Sequence, residues 1–425
     1  MKIKLEKSTL SFLQNSALAV ISSLFIGVGG YLIRRILANS LSTDDFAFFY
    51  FFMACTTILN SIFNFGTPDM LLFNLRKSNL QNEADNNWSI FSTVCRFNLC
   101  IFTVISIVYT AYLLLSSKNI SYYFTIPYFI LFVFDGIFYS TMNSLKLFNL
   151  LYLLQFSKTL LLVIFVYILS SLQGVVGAIS AFSLTLLITG TAFLIYLQRM
   201  SQGKCFQKPD WEIFRSRWSS CLCLQILSFN PMIFNELATV MLSFFSSTSE
   251  IATFNIALPV AMIIRSFYCI GIVLIPFVGE MKYDNNYAKI RTYLHCGIGV
   301  VLLACLCLIP FFHTFGKWML CLLFGEKFQN AAFSAFLLSE TMLIAFIGQM
   351  NINILNTLNK EKESSILTLA AVAFSVILYA ISAKFGGSDW TSAACLLSAI
   401  LWSSLSYIAL TNKLNQTATN KSCAK

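Results

Sequence analysis

The chain has 425 residues, of which 57% are hydrophobic and 11% charged, with 28 Lys+Arg against 18 Asp+Glu and a formal net charge of +10. Soluble domains carry roughly 25% charged residues, so this inventory cannot cover a water-facing surface, and the mean hydropathy of +0.75 places the chain in the membrane class. Apolar runs long enough for a ~30 Å hydrocarbon core recur along its whole length, and no polar stretch between them can hold a soluble catalytic domain.

The first run follows Lys2, Lys4 and Lys7 and continues from about Phe12 to Ile33. It is too long for the apolar core of a secretion signal, and no small-residue cleavage site closes it. It predicts a permanent helix over 12–37 that passes a flexible Gly27-Val28-Gly29-Gly30 and ends on Arg34-Arg35. Further helices are predicted over 46–72, 89–115, 121–142, 149–170 and 174–197, then over 219–245, 252–279, 292–312, 330–355, 364–384 and 390–411. The expected fold is an all-α membrane protein of about 12 transmembrane helices in two six-helix bundles. Its expected divisions are a bundle over 1–198, a cytoplasmic linker over 199–217 and a second bundle with a short tail over 218–425. The linker carries Lys208-Pro209-Asp210-Trp211 and Phe214-Arg215-Ser216-Arg217-Trp218, an aromatic and basic mixture that suits an amphipathic interfacial segment.

Charge and repetition organise these spans further. With a cytoplasmic N-terminus, 19 Lys and Arg fall in cytoplasmic loops and ends against 4 on the other side (Lys118, Lys317, Lys327 and Lys384). The bias follows the positive-inside rule and puts both ends in the cytoplasm. The positive charge is therefore a topology signal and gives no reason to expect a nucleic acid partner. Ser42-Thr43-Asp44-Asp45-Phe46-Ala47-Phe48-Phe49 lines up with Ser247-Thr248-Ser249-Glu250-Ile251-Ala252-Thr253-Phe254, and Asn143-Ser144-Leu145-Lys146 with Asn356-Thr357-Leu358-Asn359-Lys360. Both echoes are six helices apart, as parallel six-helix repeats require. The first also has a local cause, since Ser/Thr before acids caps a helix start.

An ionised residue at mid-bilayer costs on the order of 2.5–3.5 kcal/mol on insertion scales, so each one demands a reason. Arg265 stands about 13 residues into helix eight, in Met262-Ile263-Ile264-Arg265-Ser266-Phe267, and is expected to face a polar cavity or a carboxylate. Arg34 and Arg35 diverge by about 100° on their helix, so at most one faces a lumen squarely; the other reading is snorkelling to the interface. Arg96 and Lys158 lie near cytoplasmic helix ends, where snorkelling is the first reading, and Lys158 is also a candidate for coupling or ion pairing. Asp135, Glu340 and Glu236 are the intramembrane acids, open to proton coupling or to ion pairing; Asp69 is expected at the interface. Neutral polar residues such as Asn60, Asn98, Gln225 and Asn351 suit a hydroxyl-rich solute or, more simply, interhelical hydrogen bonds. The 13 scattered cysteines and two histidines form neither a metal-site spacing nor a disulfide framework, and no cofactor is expected.

Arg35-Ile36-Leu37-Ala38, Leu41-Ser42 and Phe46-Ala47-Phe48-Phe49-Tyr50 resemble the opening of polysaccharide-export flippases. Leu322-Leu323-Phe324-Gly325-Glu326-Lys327-Phe328 with Ala331-Ala332 and Leu355-Asn356-Thr357-Leu358-Asn359-Lys360-Glu361 is similar to a second signature of that family. The resemblance spans about residues 10–412 and points to Wzx-type O-antigen flippases of the multidrug/oligosaccharidyl-lipid/polysaccharide exporter superfamily; Ser42 and Ala47 depart from its glycines. It implies two six-helix bundles around a central cavity in the bacterial inner membrane. It also implies an undecaprenyl-diphosphate-linked oligosaccharide as cargo, surrounding membrane lipids and polysaccharide polymerase machinery as partners, and no enzymatic activity. By the same resemblance, Arg35 and Arg265 match regions where lipid-linked-sugar flippases place cavity arginines, with Arg34 as an alternative contact. Rival readings are a drug exporter with an acid-centred cavity, a peptidoglycan-precursor flippase (which usually has two more helices), and a membrane glycosyltransferase or O-antigen polymerase built on Asp44-Asp45.

Overall fold

The computed structural model describes residues 21–22, 25–68, 70–71, 84–115, 123–145, 147–203, 205, 207–216, 218–227, 229–265, 278, 287–358 and 360–422. Lys2, Lys4, Lys7, Asp69, Lys118, Lys146, Lys204, Arg217, Asn359, most of loop 73–88 and the end of predicted helix eight lie outside the described residues. Helix contacts gather the chain into two compact units, Met1–Gln225 and Ile226–Lys425.

The first unit opens with α1 (25–40) and α2 (Thr43–Phe63). The glycine run predicted to be flexible is helical: a Cβ at Gly29 would stand 2.1 Å from Thr159 Cγ2, so the missing side chain lets α1 pack directly on the fifth helix. Ser42 caps α2, its Oγ accepting from Asp45 N at 3.1 Å, with Asp44 and Asp45 in the first turn. The helix stops at Phe63, short of the predicted 72, because Phe65 and Gly66 turn to positive φ. Asn64 Oδ1 accepts from Gly66 N at 2.9 Å, and a Cβ at Gly66 would lie 2.3 Å from the Cys221 carbonyl oxygen. Next come α3 (Ala84–Leu115) and α4 (Thr125–Ser144).

The stretch Phe148–Met200 has 53 residues, which as one straight helix would run about 80 Å, far more than one membrane crossing. Gly174 breaks it with φ 56° and ψ −133°, a conformation reserved for glycine. Beyond the break the Leu169 carbonyl oxygen lies 1.9 Å from where a Cβ of Gly177 would be; in a straight helix those residues are about 12 Å apart. The chain therefore doubles back, giving α5 and α6 on either side of Gly174. Phe138 of α4 packs at a tilt on Phe193 of α6 with centroids 4.7 Å apart, and Phe102 of α3 likewise on Phe129 of α4 at 5.0 Å, within one apolar core.

The linker is not a free tether. Ser92 and Ser89 of α3 donate to the carbonyls of Gln207 and Lys208 at 2.7 and 3.0 Å, and Asp210 N donates to Thr93 Oγ1 at 2.8 Å. The short α7 (Trp211–Ser216) buries Phe214 against Phe97 and Trp218 and leaves Trp211 48% exposed. Predicted helix seven is divided into α8 (Trp218–Leu227) and α9 (Glu236–Phe245) by a 3-10 turn at Asn230–Met232, where Pro231 lacks the N–H that a continuous helix needs.

The second unit continues with α10 (Thr248–Arg265), α11 (Tyr287–Phe324) and α12 (Ala332–Thr357). At 38 residues α11 is about 57 Å long, so it outruns the predicted 292–312 and extends beyond the hydrocarbon at one or both ends. The last stretch, Glu361–Ser422, breaks at Gly387 (φ 63°, ψ −145°) into α13 and α14. Lys413 Nζ pairs with Glu363 Oε1 at 3.2 Å, although those residues would stand about 75 Å apart in a straight helix; the arms form a hairpin. α12 is the most enclosed of the seven candidate spans among the described residues. It is tied to α14 by Asn351 Nδ2 donating to Ser406 Oγ (3.0 Å) and by Ser403 Oγ donating to the Ile344 carbonyl (2.7 Å). Asn351 thus serves interhelical bonding.

Among the described residues, seven helices are long and apolar enough to span a membrane. Two of them double back, and with α1, the broken α8–α9 and α10 the chain makes about 12 crossings. The fold is all-α, in two bundles. The two units repeat in register: Thr43 and Thr248 open α2 and α10, Ser144 and Thr357 close α4 and α12, and Gly174 and Gly387 turn the two hairpins.

Candidate functional site

In the first unit, adjacent arginines take different surroundings, as their angular separation requires. Arg34 is half-buried with its guanidinium carbon 5.1 Å from the centroid of the buried Tyr50 ring of α2, a cation–π contact. Arg35 is exposed and donates from Nη1 to Tyr31 Oη, one turn back, at 3.3 Å. Each guanidinium is thus oriented by a tyrosine.

Lys158 is held in an ion pair. Its Nζ meets Asp135 Oδ2 at 2.5 Å, joining α5 to α4, with 25% and 32% of the two side chains exposed. The lysine stands beside Thr159, whose methyl group packs where Gly29 has no Cβ, so the close approach of α1 fixes the helix that carries it. Asp135 lies on the walls of two cavities in this unit. One is small and contains Lys158, Gln155 and Thr189. The other, of about 440 Å³, lies among α3, α4 and α6 and contains Ser92, Arg96 and Asp135 on otherwise largely apolar walls.

In the second unit Arg265 ends the described part of α10. That helix starts at Thr248 rather than 252, so Arg265 is its eighteenth residue, about 26 Å along. Its Nη1 approaches Met262 Sδ at 3.6 Å, and among the described residues no carboxylate forms an ion pair with it. Glu340 of α12 is 6% exposed and faces the Cys305 thiol of α11; its Oε1 accepts no hydrogen bond from the described residues. Glu236 opens α9 and accepts from Asn235 Nδ2 at 3.0 Å. Of the seven residues singled out from sequence, the structure joins Asp135 with Lys158; each of the others has its own neighbours.

Several partners escaped the sequence reading. Tyr31 was detectable, since it stands four residues before Arg35 and shares its helix face. Tyr50, Cys305 and the position of Arg96 on a cavity wall were not, because each depends on which helices become neighbours. Glu250 is another case. Expected only to favour its own helix start, it accepts from Ser388 N at 2.6 Å and so places a carboxylate at the N-terminus of α14. Among the described residues no group of three or more His, Cys, Asp or Glu could hold a metal.

A family model described as polysaccharide biosynthesis protein matches residues 12–282. Among solved structures, the chain is similar to an inward-facing multidrug resistance MATE family transporter of the MOP superfamily, with TM-score 0.76 and 14% identity over 94% of this chain and 99% of that one. It is also similar to the Vibrio cholerae MATE transporter VcmN in the bent form, with TM-score 0.63 and 14% identity over 97% of this chain and 99% of that one. At such identity the likeness establishes a common fold. No curated relative matches at the sequence level.

Proposed function

The chain belongs to the polysaccharide biosynthesis protein family, and on that premise we propose that it is a flippase for undecaprenyl-diphosphate-linked O-antigen or related polysaccharide repeat units. It moves them from the cytoplasmic to the periplasmic leaflet of the bacterial inner membrane by alternating access, with both termini cytoplasmic, and passes them to polymerase machinery. The cargo chemistry explains the need. A diphosphate-sugar head cannot cross hydrocarbon unaided, while its polyprenyl tail can remain in lipid.

The observation that carries this reading is Arg265, a guanidinium inside a membrane helix that forms no ion pair with a described carboxylate. A cation placed at that cost suits an anion that arrives and leaves, and the planar guanidinium matches phosphate oxygens in a two-pronged contact. Arg35 and Arg34 are proposed as further phosphate contacts. Export of amphiphilic cations is the rival reading and needs an available acid; in the first unit Asp135 is already engaged by Lys158.

The test is complementation of a flippase-deficient host. Arg265→Ala should abolish surface polysaccharide while the protein remains at normal level in the membrane, and Arg265→Lys should restore part of it. Full complementation by the alanine variant would refute the assignment; drug resistance in place of polysaccharide export would favour the rival.

A further inference from the structure

The cavity of about 440 Å³ among α3, α4 and α6 has the size of a small-molecule site, roughly 300–1,000 Å³. Its walls are mainly leucine and phenylalanine, and two of these, Leu99 and Leu187, present exposed apolar faces. On a membrane helix such faces meet lipid tails, so the cavity opens to hydrocarbon. Its polar residues include Arg96 and Asp135, but their charges do not cancel. Asp135 is drawn to Lys158 from the neighbouring cavity at 2.5 Å, whereas Arg96, among the described residues, has no ion pair and donates to the Gln207 carbonyl at 3.4 Å. The linker that supplies this carbonyl adds Lys208 and the exposed Arg215, and it presents Trp211. Tryptophan and basic residues together mark a membrane–water interface.

We propose that this groove is a binding site for an anionic phospholipid of the leaflet on the linker's side. One acyl chain lies between α3, α4 and α6, and the phosphate bonds to Arg96. Hydrocarbon walls accept the chain, and the uncompensated guanidinium selects a headgroup of net negative charge over a zwitterion. The site lies wholly within the first unit and is separate from the cargo arginines.

The test uses native mass spectrometry of the detergent-purified full chain exposed to phosphatidylglycerol, to phosphatidylcholine with the same acyl chains, and to undecaprenyl phosphate. Both lipids offer a phosphate, but phosphatidylcholine also brings its choline cation near Arg96, and that repulsion predicts about tenfold more retention of phosphatidylglycerol. Arg96→Gln should erase that preference and Arg96→Lys should keep most of it. Thr191→Trp, which fills the groove without changing charge, should lower retention of both phospholipids; the elution profile checks that each variant is folded. Equal retention of the two phospholipids, an unchanged preference in Arg96→Gln, or stronger retention of undecaprenyl phosphate than of phosphatidylglycerol would each overturn the proposal.

Discussion

Lysine and aspartate inside adjacent membrane helices are costly singly and tolerable together. Removing either partner from a buried pair costs about 3–5 kcal/mol, because the survivor is left uncompensated. Asp135 and Lys158 retain 32% and 25% side-chain exposure, so screening should reduce the cost of Asp135→Leu or Lys158→Met alone to about 1–2 kcal/mol. The double variant should recover most of that loss. Thermal unfolding in detergent across the four-protein cycle measures the coupling, and strictly additive losses would show that the pair contributes nothing. The sequence presented both charges but not their union: they are 23 positions apart, and only the packing of α4 on α5 makes them neighbours.

At the scale of elements, two glycines decide where helices end. Gly174 and Gly387 adopt nearly the same positive-φ geometry at the tips of the α5–α6 and α13–α14 hairpins. A side chain held at such a glycine-favoured φ/ψ costs on the order of 1–3 kcal/mol, and nothing crowds a Cβ at Gly174. At Gly387 it would also meet Glu250 Oε2 at 2.5 Å, disturbing the bond that this carboxylate accepts from Ser388 N. Gly387→Ala should therefore lower stability more than Gly174→Ala, measured as the difference in unfolding midpoint in one detergent; the reverse order would contradict the described hairpin tip. Gaps at both places were legible as breaks between apolar runs. The turn geometry was not, since a positive φ at one glycine leaves no mark on apolar spacing. Ser42 was legible as a cap because capping is decided within one turn of chain.

At the scale of the whole molecule, about 12 crossings, an even number, return the chain to the side from which it entered. The 19-to-4 distribution of Lys and Arg makes the cytoplasm the expected side. Paired reporter fusions, one active in the cytoplasm and one in the periplasm, should give cytoplasmic signals at both termini and a periplasmic signal in the loop at Lys118. Termini on opposite sides would mean an odd number of crossings. The 213-residue separation of the two hairpin glycines matches that of the ends of α4 and α12. The faint echo between Asn143–Lys146 and Asn356–Lys360 thus coincides with a repetition of architecture that the side chains have largely obscured.

The amino-acid sequence by itself determined the solvent of this protein, the approximate count and limits of its helices, and the residues whose charges need a reason. Those follow from local composition summed along the chain, because the bilayer demands apolar runs of a set length and penalises each charge within them. Tertiary structure alone decided what each charge does. It chose, of the two readings open to Lys158, the pairing with Asp135, put Tyr50 under Arg34, and placed Arg96 on the wall of a largely apolar cavity. Contacts of that kind depend on helices far apart in the chain, and a membrane helix has many similar apolar faces among which only packing chooses.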